Sequence, residues 1–514
     1  MTSLPRLSPD TLGRLAPGLG AEVSLPAEFD RAAAPGIVHL GIGAFHRAHQ
    51  AVYTERAAAH AGDERWGILG VTQRSATVRE QLRPQGGLYG VLELSEGATA
   101  LDLIGSVRDV AFPGEETARV LSTVAAPTTH IVSLTVTEKG YRRADGGGPN
   151  LADPALAYDL DVLAAEIDGR PSDDNEPSRS ASGLLLRGLA RRHRAGGTPL
   201  TVLVCDNLMD NGPTVERLVH RILEVSPAAG ATSLLDWIRT SVTFPATMVD
   251  RIVPATADAH RRVAESVLGA TDAGLVVAEP FTQWVIEDRF AGPRPAWEAA
   301  GATLTDHVAP YEHVKLRILN GTHSALAYGG ALRGYATIAE AVADPELNDF
   351  ARALIDEDAI PSLADTGDID LEEYRESVLE RFANGAIGHT TVQIAMDGSQ
   401  KLPIRMLATA RDRLGSGHTP FAIARAVASW MLYVHATSEG TLEVAGRTVE
   451  LDDPAADRLA LAARGPLDGL AARMLDQSGV FPEDLAENLV WRAAVGAAVR
   501  DLRAGAPALA GATS

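Results

Sequence analysis

One cysteine, Cys205, stands in 514 residues. A single thiol excludes an intrachain disulfide and any zinc site built on cysteine ligands. Positive charge is also scarce: 46 Lys and Arg face 67 Asp and Glu, a formal net charge of −21. A chain so acidic repels phosphate backbones and anionic lipid surfaces, so neither nucleic acid nor a membrane is an expected partner. A small anionic substrate is not excluded, because a few local Arg or Lys residues are enough to hold one. No run of about 18 apolar residues occurs, which removes a membrane-spanning helix. The opening Met1-Thr-Ser-Leu-Pro-Arg-Leu-Ser-Pro9 lacks the apolar stretch of a secretory signal. A cytoplasmic protein is the expectation.

What is present is an ordinary globular composition, 46% hydrophobic and 22% charged, in a chain long enough for two or three domains. Ile37-Val-His-Leu40 is a short β-type run, followed at once by Gly41-Ile-Gly43-Ala-Phe45-His46-Arg47-Ala48-His49 and a helical stretch, Gln50 to His60. Trp66-Gly-Ile-Leu-Gly-Val71 reads as the next strand. Strand, glycine turn, helix and strand make the βαβ unit of a dinucleotide fold, in which backbone N–H groups approach a pyrophosphate. Position 46, where the usual third glycine would fall, is His, while Ala48 is small. After Val71 come Thr72-Gln73-Arg74-Ser75-Ala76-Thr77-Val78-Arg79, with no acid before Glu80. An acid there would bond the ribose hydroxyls of NAD, whereas Arg and Ser can receive a 2′-phosphate, so NAD is expected with NADP possible. The cofactor-binding set is Gly41, Gly43, Phe45, His46, Arg47, Arg74 and Ser75. His46 and His49, three apart on the expected helix, read as packing or cofactor residues rather than metal ligands, and no metal is expected.

Further strands are expected at His130–Val136 and Thr201–Val204, each ending in polar residues, Thr137-Glu138-Lys139 and Asp206-Asn207. Open α/β sheets place ligands at such strand ends. Arg142–Asn150 and Asp168–Ser182 are rich in Gly, Pro, Ser and Asp and read as loops. Phe244 to Pro254 reads as a loop fixed between prolines, with Asp250 either orienting a partner or pairing near Arg251. Pro280 to Arg289 reads as a hinge or a packing seam. From about Tyr311 the chain turns helical, including Pro420 to Tyr433. Two domains are expected, an α/β one over 1–300 and a mostly helical one over 301–514.

The most informative segment is Lys315-Leu-Arg-Ile-Leu-Asn320-Gly-Thr-His323. At about 100° per residue of α-helix, Glu312, Lys315, Leu316, Leu319, Asn320 and His323 share one arc of about 140°. A base, an amide and an imidazole on an apolar stripe are drawn inward, and unpaired burial of a polar group costs roughly 1–3 kcal/mol. Such groups need partners or a task; the plain alternative is a solvated face with Lys315 reaching water.

The string Gly41-Ile-Gly-Ala-Phe-His-Arg-Ala-His-Gln50 resembles the N-terminal signature of the mannitol dehydrogenase family of polyol-specific long-chain dehydrogenases. Ser133–Tyr141, Cys205-Asp-Asn207, Met248–Arg251 and Glu279–Asp288 are similar to further family blocks, and Lys315-x4-Asn320-x2-His323 resembles its catalytic motif. The likeness runs from about residue 36 to beyond 490. It implies a Rossmann domain, a helical substrate domain, an active site in the cleft between them and no catalytic metal. It further implies Lys315 as general base, Asn207 and Asn320 as oxyanion donors, His323 as the substrate-positioning imidazole and Glu312 as the acid gating proton exit. A lysine in a dry cleft is held neutral by desolvation and can accept the carbinol proton. The partner is then a small-molecule substrate, with a monomer favoured.

The block Gln393-Ile-Ala-Met-Asp-Gly-Ser-Gln-Lys401-Leu-Pro-x-Arg405 looks like the fructuronate reductase branch of that family. The mannitol 2-dehydrogenase branch carries an arginine where this chain has Gln393. A uronate carboxylate wants a cation, and Lys401 and Arg405 are candidates; with Asp250 they form the expected substrate-binding set. A non-catalytic cofactor-binding paralogue is the remote alternative, opposed by the intact Lys315, Asn207, Asn320 and His323.

Overall fold

The computed structural model describes residues 4–27, 32–95, 98–144, 146–170 and 176–505. The chain divides into two units, Met1–Val308 and Ala309–Ser514. The first is α/β and the second helical, as expected.

The first unit is organised by strands β1 (Ile37–Leu40), β2 (Ile68–Val71), β3 (Val107–Ala111), β4 (Ile131–Leu134), β5 (Leu200–Val204) and β6 (Val242–Thr243). They hydrogen-bond in the order 3-2-1-4-5-6, every pair parallel. Near-continuous aliphatic runs suit this arrangement, because a parallel sheet is covered on both faces. Successive side chains alternate between those faces. Ile37, Ile68, Ile131 and Leu203 join one core with Val52, Trp66 and Trp284. Val38, Leu69, Val132 and Val202 join another with Val120, Leu121, Leu185 and Leu189. Helices α1 (Ala44–Ala48) and α2 (Gln50–Ala61) follow β1, and α3 (Pro113–Ala125) follows β3.

Two smaller sheets complete the unit. One runs in the order Val23–Ser24, Ala98–Ile104, Tyr89–Ser95, Val276–Ala278; the other in the order Thr247–Asp250, Gln283–Glu287, Thr303–Thr305. The segment expected as a loop between Phe244 and Pro254 therefore contains a strand. Its Thr247, Met248 and Val249 are buried, and it pairs antiparallel with Gln283–Glu287. The Pro280–Arg289 block is a packing seam of the first unit: buried Trp284 lies 4.6 Å from the Trp297 ring and 5.3 Å from that of Tyr53. The loop Arg142–Asn150 is closed by a bridge from Arg143 to Pro149. Asp145 there, and 171–175 of the second expected loop, lie outside the described residues.

In the second unit, α4 (Ala309–Val314), α5 (Gly321–Leu332), α6 (Phe421–Ser438) and α7 (Leu489–Gly505) are the helices that matter for the site. Helix α6 packs against both α5 and α7. Among the described residues, three π-helical turns interrupt the α-helical pattern, at Lys315–Asn320, Leu354–Ala359 and Pro403–Leu407. The turns at 315–320 and 403–407 touch. Gly321 makes that approach possible, since a Cβ there would stand 3.2 Å from the Arg405 carbonyl oxygen. Among the described residues no helix is long and apolar enough to cross a membrane.

Two buried carboxyls give the first unit a pH signature. Burial pushes Glu55 on α2 from 4.5 to about 7, although it accepts the N–H groups of Gly105 (2.8 Å) and Ser106 (2.6 Å). Burial likewise pushes Asp206 from 3.8 to about 7, against the pull of bonds from Tyr141 Oη–H and Val136 N–H. A raised carboxyl keeps its proton in the fold after the unfolded chain has lost it. Its stabilisation is therefore full below about pH 4 and is lost as pH rises through about 7. Carboxylates held low, such as Glu116 at about 2 among its arginines, are ionised in both states over most of that window. Thermal unfolding should thus shift to lower temperature between pH 5 and pH 8. Asp206→Asn should flatten that fall in a melting series across the same range, and an unaltered slope would remove Asp206 from it.

Candidate functional site

In the first unit the residues of interest gather where β1 and β4 end. The order 3-2-1-4-5-6 reverses direction between these two strands, and such switch points open a crevice at the C-terminal edge of the sheet. Gly41 sits there with φ +105°, and a Cβ would lie 2.2 Å from the Thr135 carbonyl oxygen, so only glycine fits. The turn is held by Gly41 and Ile42 N–H donating to the Val71 carbonyl at 2.8 and 3.1 Å. His39 pins it from below, its ring nitrogens 2.8 Å from Ser133 Oγ and Thr135 Oγ1. Burial lowers His39 to about 3, so the ring is neutral. Gly43 opens α1, and a Cβ there would meet only the Gly41 carbonyl, at 3.8 Å. The chain's own packing does not demand a glycine at 43, and its bare backbone leaves room that fits a dinucleotide pyrophosphate.

Other members of the expected cofactor set turn elsewhere. His46 is buried and stacks on His39 at 3.4 Å, its pKa held well below the usual value by burial. Arg47 is buried under the Tyr89 ring and donates to the Gly43 and Gly274 carbonyls. Both therefore pack inward. Phe45 stacks on His49 at 5.1 Å. Nor do His46 and His49 share a helix: the backbone breaks at His49, with φ −126° and ψ −89°. His49 Nε2 lies 2.8 Å from the Gln283 carbonyl. Among the described residues no group of three His, Cys, Asp or Glu is placed to hold a metal ion. Arg74 and Ser75 lie exposed on the bend that follows β2.

At the end of β5, Cys205 and Asp206 are buried and Asn207 is exposed. Asp206 ties this edge to the segment after β4 through Val136 and Tyr141. Asn211, which sequence reasoning passed over, is the structural amide: it donates to the carbonyls of Asp206 (3.0 Å) and Thr247 (2.8 Å). Asp250 is buried at the end of its strand. Its neighbour Arg251 pairs with Glu93 at 2.8 Å and donates to the Ala48 and Glu279 carbonyls.

In the second unit the nine-residue segment is not one α-helix. Helix α4 gives way at Lys315 to the π-helical turn, which ends at Asn320, and α5 begins at Gly321. The Gly321 N–H reaches back five residues to the Leu316 carbonyl. The expected arc at 100° per residue does not hold through this stretch, because the wider turn rotates each residue less. Such turns recur at functional sites. Glu312, Lys315 and Asn320 are buried, 6%, 8% and 7% exposed. Asn320 Nδ2 and His323 Nε2 are enclosed without a hydrogen-bond partner.

His323 stacks on Phe382 at 4.7 Å and on His389 at 5.6 Å. Burial and the neighbouring charges of His389, Arg405, Arg381 and Lys401 hold it well below its usual pKa, so it is neutral. Arg405 donates to Ser324 Oγ at 3.0 Å, and its Nε is enclosed without a partner. Burial, helped by Arg405, lowers Lys401 to about 8, and its Nζ donates to the Ile394 carbonyl at 3.2 Å. Arg381, Phe382 and His389 were not singled out from the sequence. They follow no motif spacing, and only the packing of the helix Leu371–Ala383 and the segment beyond it brings them to His323.

A 3-2-1-4-5-6 parallel sheet with a glycine turn at its switch point, followed by a helical unit holding buried Lys, Asn and neutral His, defines a Rossmann-type oxidoreductase. The chain belongs to the mannitol dehydrogenase family: residues 35–299 match the mannitol dehydrogenase Rossmann domain and residues 307–503 the mannitol dehydrogenase C-terminal domain. It is 39% identical to D-mannonate oxidoreductase of Escherichia coli (strain K12), over 91% of this chain and 93% of that one. It is also 39% identical to an uncharacterized oxidoreductase, YeiQ, of the same organism, over 88% and 89%. The solved ternary complex of Pseudomonas fluorescens mannitol 2-dehydrogenase with NAD and D-mannitol superposes with a TM-score of 0.82, 33% identity and 97% of each chain covered.

Proposed function

We propose that this protein is a metal-independent, nicotinamide-dependent fructuronate reductase (D-mannonate oxidoreductase), which interconverts a C2 carbonyl and carbinol. The observation that carries the chemistry is the π-helical turn, which buries Lys315 at its start and, at its end, an Asn320 whose amide N–H is enclosed and unspent. A nicotinamide dinucleotide, the class of cofactor in the P. fluorescens complex, would supply or accept the hydride when bound. Gly41 makes the turn, and Gly43 leaves room for its pyrophosphate.

Lys315 holds the mobile proton. Its ammonium donates to the oxygen of the reduced carbon, and in the oxidative direction the neutral amine takes that proton back. Asn207 and Asn320 each offer an amide N–H to the alkoxide, and fixed donors of this kind stabilise charge only as it develops. His323, neutral and stacked, holds a substrate hydroxyl. Glu312 passes the lysine's proton to and from solvent.

The substrate follows from charge. Lys401, Arg405 and Arg381 crowd around His323, and Arg405 keeps an unspent Nε–H. Three cations around a neutral ring suit a carboxylate, which loses water on entering and needs a charged partner. D-mannonate oxidoreductase among the relatives supports this reading. The likeness to the mannitol 2-dehydrogenase complex favours the second reading, mannitol and fructose.

Steady-state rates with fructuronate, tagaturonate and fructose, read as dinucleotide absorbance at 340 nm, decide between the two. Lys401→Met should raise KM for fructuronate far more than for fructose, because only the uronate loses an ion pair. That loss is on the order of 2–5 kcal/mol, well over tenfold in KM. With the lysine at about 8, KM for the uronate should also climb as pH passes that value and the cation is lost. Equal losses for both sugars, or faster turnover of fructose, would put the polyol reading in place of this one.

A further inference from the structure

We propose that the bend after β2 is a 2′-phosphate site, and that the chain prefers the 2′-phosphorylated nicotinamide dinucleotide, NADP(H), over NAD(H). The inference rests on the dinucleotide-binding reading of the first unit. In a sheet of order 3-2-1-4-5-6 the adenosine ribose lies at the end of the second strand, where a carboxylate normally accepts its two hydroxyls. Here β2 ends at Val71, and Thr72 to Arg79 contain no acid. Gln73, Arg74 and Ser75 stand exposed on the bend.

A carboxylate can come instead from the neighbouring strand, since α3 follows β3 and opens with Glu115 and Glu116. Both are already engaged. Glu115 pairs with Arg79 at 2.8 Å. Glu116 pairs with Arg79, Arg83 and Arg119 at 3.2, 2.9 and 3.1 Å. Asp109 on β3 pairs with Arg83 and Arg119. Three acids and three arginines close on one another along this edge. Arg74 stands outside the network: among the described residues no acid pairs with it. The bend itself, Thr72 to Ala76, thus carries one charge, and it is positive. An arginine presents a planar fork to phosphate oxygens, and the exposed Ser75 hydroxyl, now donating to Thr77 Oγ1 at 3.1 Å, adds a donor.

Titration calorimetry of the whole protein with two adenosine fragments tests this without turnover. Adenosine 2′,5′-bisphosphate should bind at least about tenfold tighter than 5′-AMP, the scale of a charge-assisted phosphate contact. Arg74→Ala should abolish most of that gap, and Arg74→Asp should reverse it. The ratio of kcat/KM for NADPH over NADH should fall in the same order. Arg74 is exposed, so neither change should disturb folding, which a melting curve checks. Equal binding of the two fragments, or a gap that survives in Arg74→Ala, overturns the 2′-phosphate site and leaves the oxidoreductase reading standing. Binding of neither fragment overturns the dinucleotide reading beneath it.

Discussion

Lys315→Ala lowers kcat by at least about a hundredfold, the usual scale for the loss of a general base. Dinucleotide affinity should stay near that of the parent, because the role proposed for the lysine is at the substrate oxygen and it lies in the helical unit, not at the glycine turn. Pre-steady-state traces with saturating substrate separate the two effects: the chemical step slows while the binding amplitude is kept. An external primary amine gives a second readout, since it restores part of the rate only if a missing proton carrier is the defect. A variant keeping more than about a tenth of the activity would remove Lys315 from the mechanism.

Asn207→Ala and Asn320→Ala each cost about 2.7–4 kcal/mol of transition-state stabilisation, a factor of about 10² to 10³ in kcat, if each supplies one fixed donor. The two differ in what else they disturb. Asn207 is exposed at a strand end, so its removal should leave the melting temperature alone. Asn320 is buried with an unspent N–H, and removing an enclosed, unsatisfied donor should stabilise the fold slightly while activity collapses. A loss seen only in KM, or only in folding, ends the oxyanion role of the residue concerned.

The parts of the fold legible from sequence are those specified by local pattern. The strands Ile37–Leu40, Ile68–Val71, Ile131–Leu134 and Leu200–Val204 lie inside or within a residue of the expected aliphatic runs, because a strand covered on both faces leaves an unbroken apolar signature. The sheet that pairs Val91 with Val276 was not legible, since those residues are 185 apart and only tertiary packing sets their register. Thr247–Asp250 hid between prolines for a related reason: its partner strand begins only at Gln283. In the site, the spacing of 315, 320 and 323 suggested a base, an amide and an imidazole drawn inward, while the acid–base and oxyanion roles proposed for them and for Asn207 came from the family resemblance. Their directions were not legible. Helical periodicity assumes one rotation per residue, and neither the break at His49 nor the π-helical turn announces itself in composition. Arg47 shows the converse error: a basic residue beside a glycine turn invites a phosphate, yet its guanidinium is used up on two carbonyls inside the fold.

The turn at Lys315–Asn320 also bears on how this chemistry can be moved. A motif written as letters and gaps records order; the fold records bearing. Copying Lys315 to His323 onto a straight α-helix elsewhere would preserve every letter and point the amide and imidazole along different compass lines from the lysine. A working graft needs the detour as well as the residues. That includes the bare Gly321 backbone resting on the Arg405 carbonyl, since this is where the detour meets its neighbour.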